Sequence, residues 1–297
     1  MPVKIAVVGS LNMDYTLQVE RLPHEGETVK ALRMAVSAGG KGANQAVAAR
    51  RLGARVAMIG AVGDDDAGRE LHKRLMMDGV DVTGVQTLGD RTGMAQITID
   101  ATGENTIIVL PGANAEVTAA TIDQHANLLE DADYVLIQLE IPMEAVLHAA
   151  RESNRLGRRV ILNPAPAQDL PQEIYRYIDI FTPNETELKR LSGCSNTIEG
   201  ARWLLKQGVK RVVVTLGARG CYYMDEIRSM EVPSIEVQAV DATGAGDAFN
   251  GALAVKLAEG CSFEDALRFA NLVGATVAAR FGSQDVMPRR EEIKRGE

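Results

Sequence analysis

The sequence predicts an α/β fold: a mostly parallel sheet with helices on both faces and a small extra β-sheet inserted into it. Three observations carry this. Six short apolar runs read as buried parallel strands. Six segments of helical period alternate with them. Two stretches, about 11–38 and 93–110, break the alternation with strand-like patterns of their own.

In chain order, VKIAVVG (Val3–Gly9) opens the sheet. Residues 11–38 lack a helical period, and Thr28–Ala35 alternates like a strand. A glycine-rich turn leads into a helix over Ala43–Leu52; strand Val56–Gly60 and helix Ala67–Met77 follow. GMAQITIDATGENTIIVL at 93–110 reads as two strands around a turn at Asp100–Asn105. Strand Tyr134–Gln138, helix Met143–Leu156 and strands Val160–Asn163 and Ile178–Thr182 come next. Helix Ile198–Gln207, strand Val212–Leu216 and helices Ala245–Ala258 and Phe263–Ala279 complete the pattern. No linker, repeat or low-complexity tract divides residues 1–297, so one domain is expected. Inserted strands of this kind belong over the carboxyl ends of the core strands, where ligands bind in open α/β sheets. That makes them a candidate lid; periodicity also accommodates an extra edge hairpin.

With 297 residues, 46% of them hydrophobic, the chain can bury a large core. A net charge of -8 argues against nucleic acid or an anionic membrane as partner. It leaves room for a small anion held by backbone amides. The opening run reads as a strand rather than a leader, and no apolar run is long enough to span a bilayer. Cys194, Cys221 and Cys261 are widely spaced and form neither a metal motif nor a disulfide framework, so the expected setting is a reducing cytoplasm. His24, His72, His125 and His148 show no ligand spacing, and none is read as a base.

The chemistry concentrates in glycine-rich or polar turns that follow strands. DATGAGDAFNG at 241–251 feeds a helix. Gly244 and Gly246 let an anion approach closely, and the first amides of the helix are unpaired, with the positive dipole end outward. Asp247 in that setting is expected to be ionised, its pKa lowered by the dipole. It can orient a hydroxyl and take its proton while the amides of Ala245 and Gly246 hold a phosphoryl group, a division of labour that suits a loose transition state. Helix capping is the competing role for Asp247.

GGKGANQAVAARRLGA at 39–54 is a second glycine turn, offering backbone, Lys41 and Asn44 to a polyhydroxylated molecule; it lacks the spacing of the usual phosphate loop. In GSLNMDY, Asn12 and Asp14 share one side of an extended chain and can bind vicinal hydroxyls; chain-turning polar residues are the alternative. Glu140 directly follows the strand YVLIQ. TPNETE at 182–187 offers Asn184, Glu185 and Glu187, a set that can hold water around Mg²⁺, with helix capping by Asn184 as the competing reading. TLGARG at 215–220 again puts glycines after a strand.

Taken together, these motifs resemble the PfkB family of carbohydrate kinases, in its ribokinase branch, over nearly the whole chain. GGKGANQAVAARRLGA followed by Gly60–Asp65 matches one family signature and DATGAGDAFNG the other; GSLNMD, QLE, LNPAPA, TPNETE and TLGARG suggest the branch. The resemblance implies a three-layer core with a β lid, and ATP-dependent phosphorylation of a sugar, at the 5-hydroxyl for ribose. It implies that Asp247 is the base and that Gly244, Ala245 and Gly246 form the anion hole. It implies sugar contacts from Asn12, Asp14, Gly40, Lys41, Asn44 and Glu140, and an Mg²⁺–phosphate region organised by Asn184 and Glu187. Thr215, Gly217, Gly220 and Asn271 would lie along the nucleotide. A monovalent cation, usually K⁺ in this branch, would sit by Asp241 and Thr243 and main-chain carbonyls near Val277, Arg280 and Gly282. Two lids clasped together would make a homodimer.

The chain departs from the pattern at GSQDVMP (282–288), where Val286 stands in place of the usual serine and brings no side-chain oxygen to the cation. Other acceptors on the same fold, such as deoxyribose or a nucleoside, compete. A nucleoside needs an aromatic wall, and aromatics are 4% of the chain, with Trp203 far from the sugar motifs. A catalytically silent sugar-binding regulator should have lost Asp247 or its glycines. An oxidoreductase should carry a dinucleotide fingerprint after the first strand, which is absent.

Overall fold

The structure, a computed structural model, describes residues 2–293. Among the described residues thirteen strands are formed: β1 (Lys4–Val8), β2 (Asn12–Gln18), β3 (Arg33–Gly39), β4 (Arg55–Val62), β5 (Asp81–Thr87), β6 (Gly93–Ile99), β7 (Asn105–Leu110), β8 (Tyr134–Ile137), β9 (Arg159–Leu162), β10 (Ile180–Phe181), β11 (Arg211–Thr215), β12 (Cys221–Met224) and β13 (Ser229–Val232). The α-helices are α1 (Lys41–Arg51), α2 (Asp66–Asp78), α3 (Ala119–Asp123), α4 (Ala126–Glu130), α5 (Met143–Arg155), α6 (Glu185–Ser192), α7 (Thr197–Gln207), α8 (Ala245–Ala258), α9 (Phe263–Ala278) and α10 (Arg290–Ile293).

Nine strands form one sheet in the order β13-β12-β11-β10-β9-β8-β1-β4-β5. All pairings from β11 to β5 are parallel, and β12 and β13 close one edge as an antiparallel hairpin. Each apolar strand is buried on both sides because successive side chains alternate between two cores. From β1, Ile5 and Val7 join the core under α1, α8 and α9, while Ala6 and Val8 join the core under α5 and α7. From β1 the chain builds outward to β4 and β5, then returns to β8 on the other side. This puts a topological switch point between β1 and β8, where open sheets of this kind leave a crevice.

The second sheet has the order β3-β2-β6-β7. It arises from the two segments that broke the alternation, as expected, and it is separate from the main sheet rather than an edge hairpin on it. Its strand β3 is Arg33–Gly39, shifted from the expected Thr28–Ala35; it pairs along its whole length with β2. The alternation of 28–35 belongs mostly to an exposed approach to that strand. The 93–110 hairpin is as read, turning over residues 100–104.

Two close approaches fix the site. At Gly42, near the start of α1, an added Cβ would lie 2.6 Å from the backbone nitrogen of Ser10, so the helix presses on the turn after β1. At Gly251, within α8, it would lie 2.9 Å from the Cβ of Ala48 and 3.0 Å from the carbonyl oxygen of Gln45. The small faces of α1 and α8 thereby pack nearly backbone to backbone, which brings Asn44 and Gln45 beside Asp247. Among the described residues no helix is long and apolar enough to cross a membrane.

Candidate active site

Asp247 sits in the first turn of α8, a helix buried on nearly every side, and is itself only 6% exposed. Its two oxygens are held separately. Oδ2 accepts from Asn44 Nδ2 at 3.0 Å and Oδ1 from Gln45 Nε2 at 3.1 Å. The expected lowering of its pKa does not hold. Burial pushes the carboxyl up, opposed by Lys41 and by the Asn44 and Gln45 amides, and Glu140 adds to the rise. The helix dipole acts on a group that has lost its water, and desolvation is the larger effect.

The turn before Asp247 is a usable anion site. Gly244 adopts φ +77°, a left-handed conformation that suits glycine. A Cβ at Gly246 would meet nothing within 4 Å, so that residue's bare face borders open space. The N–H groups of Gly246 and Asp247 have no partner among the described residues. The Ala245 N–H, by contrast, donates to the Ala242 carbonyl at 3.2 Å, so in this conformation it is not free for an anion.

Toward the second sheet lie the residues read as sugar contacts. Gly40, at φ +86°, turns the chain into α1. Glu140 Oε2 accepts from Ser10 Oγ at 2.5 Å and from the Lys41 backbone N–H at 3.0 Å, placing a carboxylate at the N-terminus of α1. Asn12 and Asp14 begin β2 rather than ending a core strand, and both are buried. Asn12 Oδ1 accepts from Asn114 Nδ2 at 2.7 Å, and Asn114 also bonds the Leu11 backbone in both directions. Asp14 Oδ1 is buried without a hydrogen-bond partner among the described residues. Its other oxygen lies over Gly39, where an added Cβ would be 2.0 Å away.

Four carboxylates surround one lysine. Burial alone would push the Lys41 ammonium down, but Asp247, Glu140, Glu187 and Asp14 together hold it above the usual lysine range. Asp14 is raised from 3.8 to about 7 by burial first, then by Glu140 and Asp247, with Lys41 opposing. Glu187 is raised by burial, against the Asn184 N–H and Lys41. One cation cannot balance four acids, of which Asp14 and Asp247 are buried and Glu140 and Glu187 half-buried, so this crevice is poised for further donors or positive charge.

Across Gly246 opens a cavity of about 610 Å³ lined by Asn184, Thr215, Gly217, Gly220, Asn271 and Phe249, among others. Asn184 bridges to Thr215 beside the sheet edge. As the competing reading had it, Asn184 caps α6: its side chain accepts from the Glu187 N–H, and Glu187 Oε2 accepts from the Asn184 N–H, both at 2.8 Å. Glu185 pairs with Arg219 and is turned to that partner. Asn271 donates to the Val232 carbonyl at 2.9 Å, tying α9 to the hairpin edge.

Asp241 Oδ1 accepts from the Thr243 N–H at 2.9 Å and Oδ2 from the Gly282 N–H at 3.2 Å. The Asp241 N–H donates to Ala278 O, and the Val277 carbonyl accepts from the Arg280 N–H, so all five residues read as a cation site belong to one neighbourhood. No group of three or more His, Cys, Asp or Glu that could hold a metal is present among the described residues. One carboxylate with main-chain oxygens suits a single positive charge. The Val286 carbonyl is taken by Arg280 at 3.1 Å.

Sequence reasoning missed Ser10, Gln45, Asn114 and Gln138. Gln45 lay inside a quoted motif but read as one polar position of a helix, and Asn114 carries no local signal at all.

A family model described as pfkB family carbohydrate kinase matches residues 3–290. The chain is 40% identical over 291 residues to the ribokinase of Bacillus subtilis, covering 98% of each. It is 36% identical over 296 residues to a deoxyribokinase of Salmonella typhi, covering 97% of each. It also superposes with a TM-score of 0.91 on a ribokinase of Thermotoga maritima (40% identity, 99% of each chain). Against an Arabidopsis thaliana ribokinase solved with ribose and ATP the TM-score is 0.92 (34% identity; 99% of this chain, 98% of that one). With its motifs at the carboxyl edge of this sheet and a match across nearly its whole length, the chain belongs to the pfkB family of carbohydrate kinases.

Proposed function

We propose that this protein transfers the γ-phosphoryl group of ATP to the 5-hydroxyl of D-ribose, giving ribose 5-phosphate and ADP. The observation that carries this is the position of Asp247. It lies between a crevice of hydrogen-bonding groups and a nucleotide-sized cavity, with the unpartnered N–H groups of the α8 terminus beside it.

In this reading the sugar hydroxyls meet Asn12, Asp14, Lys41, Asn44, Glu140 and the bare backbone of Gly40. The orphaned Asp14 Oδ1 supports it, because a buried acceptor without a donor is costly and a hydroxyl supplies one. ATP occupies the cavity along Thr215, Gly217, Gly220 and Asn271. As the acceptor oxygen bonds to the γ-phosphorus, its proton passes to Asp247 and the bridging P–O bond breaks toward ADP. The amides of Gly244, Ala245 and Gly246 take the charge of the group in flight, the Ala245 N–H leaving Ala242 to do so.

Mg²⁺, held through water by Glu187 and Asn184, would supply charge neutralisation on the phosphates. Asp241, Thr243 and the carbonyls of Val277, Arg280 and Gly282 would hold K⁺; equal turnover in K⁺ and in tetramethylammonium salts would remove that role. The second sheet acts as the lid of a single functional unit working in the cytoplasm. Its exposed Met34, Val36, Ile108 and Leu110 share one face of the sheet, the face that a second copy would cover. Sedimentation as a monomer at high concentration would exclude the homodimer.

A deoxyribose acceptor is the second reading, favoured by the identity to a deoxyribokinase. Product formation with ribose and 2-deoxyribose side by side decides between them. The Asp247→Asn variant should retain sugar binding while turnover falls by about 10²–10⁴-fold; turnover near that of the wild type would strip Asp247 of its role.

The Asp14 carboxyl keeps its proton in the native state up to about pH 7, whereas it ordinarily ionises near 3.8. Its contribution to stability is therefore full below the unfolded value and is lost as the pH rises through the folded one. The stability of Asp14→Asn relative to wild type should grow between about pH 4 and about pH 7 in urea unfolding and level off above that. An unchanged difference across that range would contradict the raised value.

A further inference from the structure

Gln45 is fully buried and uses its amide at both ends. Its Nε2 donates to Asp247 Oδ1 at 3.1 Å and to Asn163 Oδ1 at 3.3 Å. Its Oε1 accepts from Gln138 Nε2 at 2.7 Å. Gln138 is buried too, packed so closely over Gly9 that a Cβ there would lie 2.0 Å from Gln138 Oε1. That oxygen has no hydrogen-bond partner among the described residues.

We propose that Gln45, locked by Gln138, is a positioning residue for the Asp247 carboxylate in the phosphoryl transfer described above, on which this inference rests. An amide can turn end for end at little cost in shape. Here the turn is barred from both sides: it would set the Gln45 carbonyl against the Asp247 carboxylate and its NH₂ against the NH₂ of Gln138. Asp247 and Gln138 together set which end of Gln45 faces the carboxylate, and Gln138, which gives its N–H to Gln45, is left with an unpartnered oxygen. With Asn44 on the other oxygen, one amide N–H rests on each carboxylate oxygen. The carboxylate plane is fixed, and each oxygen keeps a lone pair able to take the hydroxyl proton.

The choice of an amide fits the task. An arginine at this place would hold the carboxylate harder and weaken it as a base; a hydrophobic residue would leave burial unopposed. The other charged groups around Asp247 are Lys41 from α1, Glu140 after β8, Glu187 from α6 and Asp14 from β2. None of them fixes the carboxylate by a hydrogen bond. Removing the Gln45 donor takes away support for the ionised form, so the Asp247 pKa should rise.

The test compares wild type, Gln45→Met and Gln138→Met. Each is assayed with ribose and MgATP across pH, and each is titrated without substrate by ¹³C NMR of labelled Asp carboxyls. Asp247→Asn assigns the resonance. We expect kcat to fall about tenfold or more in Gln45→Met, with KM for ribose changed less than about threefold. The acid limb of kcat/KM and the ¹³C midpoint of Asp247 should both move to higher pH, by less in Gln138→Met. An unmoved Asp247 midpoint in Gln138→Met, folded by circular dichroism, would overturn the proposal even if kcat fell. Absence of turnover in the wild type would refute the kinase reading separately, since the titration does not depend on it.

Discussion

A carboxylate buried at the start of an apolar helix is the constraint around which this molecule is arranged. Left alone, such a group would protonate and lose its use. The fold answers with two side-chain amides from α1, and an amide can reach only if α1 and α8 pack almost without side chains between them. That explains why α1 is rich in alanine along Ala43–Ala49 and why α8 carries Gly251 at the crossing. Each N–H to a charged oxygen contributes about 2 kcal/mol toward holding the ion, enough to offset part of the desolvation but not all of it. Asp247 thus rests above the ordinary carboxylate range, which makes it a stronger base than a solvated aspartate.

The same economy appears across the crevice. Lys41 is shared among four acids, and Asp14 ionises only near neutrality. A crevice with more buried acceptors than donors is complementary to a ligand rich in hydroxyls, each of which brings a donor. It also resists a second anion unless one arrives at the opposite side, where the N–H groups of the α8 terminus face the open cavity. In the proposed function the acidic crevice and the glycine turn divide the two substrates by charge, and Asp247 stands where the two regions meet.

Much of this was legible in the sequence because it is written in local patterns. Continuous apolar runs gave the parallel strands, and glycines before helical periods gave the turns into α1 and α8. The two segments without helical period gave the second sheet. What escaped depends on distant residues. β5 alternates between half-buried and exposed positions at the sheet edge and lacks the run that marked the others. Gln45 and Gln138 stand 93 positions apart and meet only once β8 and α1 are placed. Asn114 supports Asn12 from 102 positions away. The expected lowering of the Asp247 pKa failed for the same reason: the helix terminus is a local feature, whereas burial is set by everything packed around α8.

The central claim is that Asp247 takes a proton and never the phosphoryl group itself. The most direct measurement is the stereochemical course of transfer from ATP made chiral at the γ-phosphorus with oxygen isotopes. A single in-line displacement between the two substrates predicts inversion of configuration in the sugar phosphate. Retention would mean two successive displacements through a phosphorylated side chain, Asp247 being the carboxylate in place to accept it, and would contradict the account.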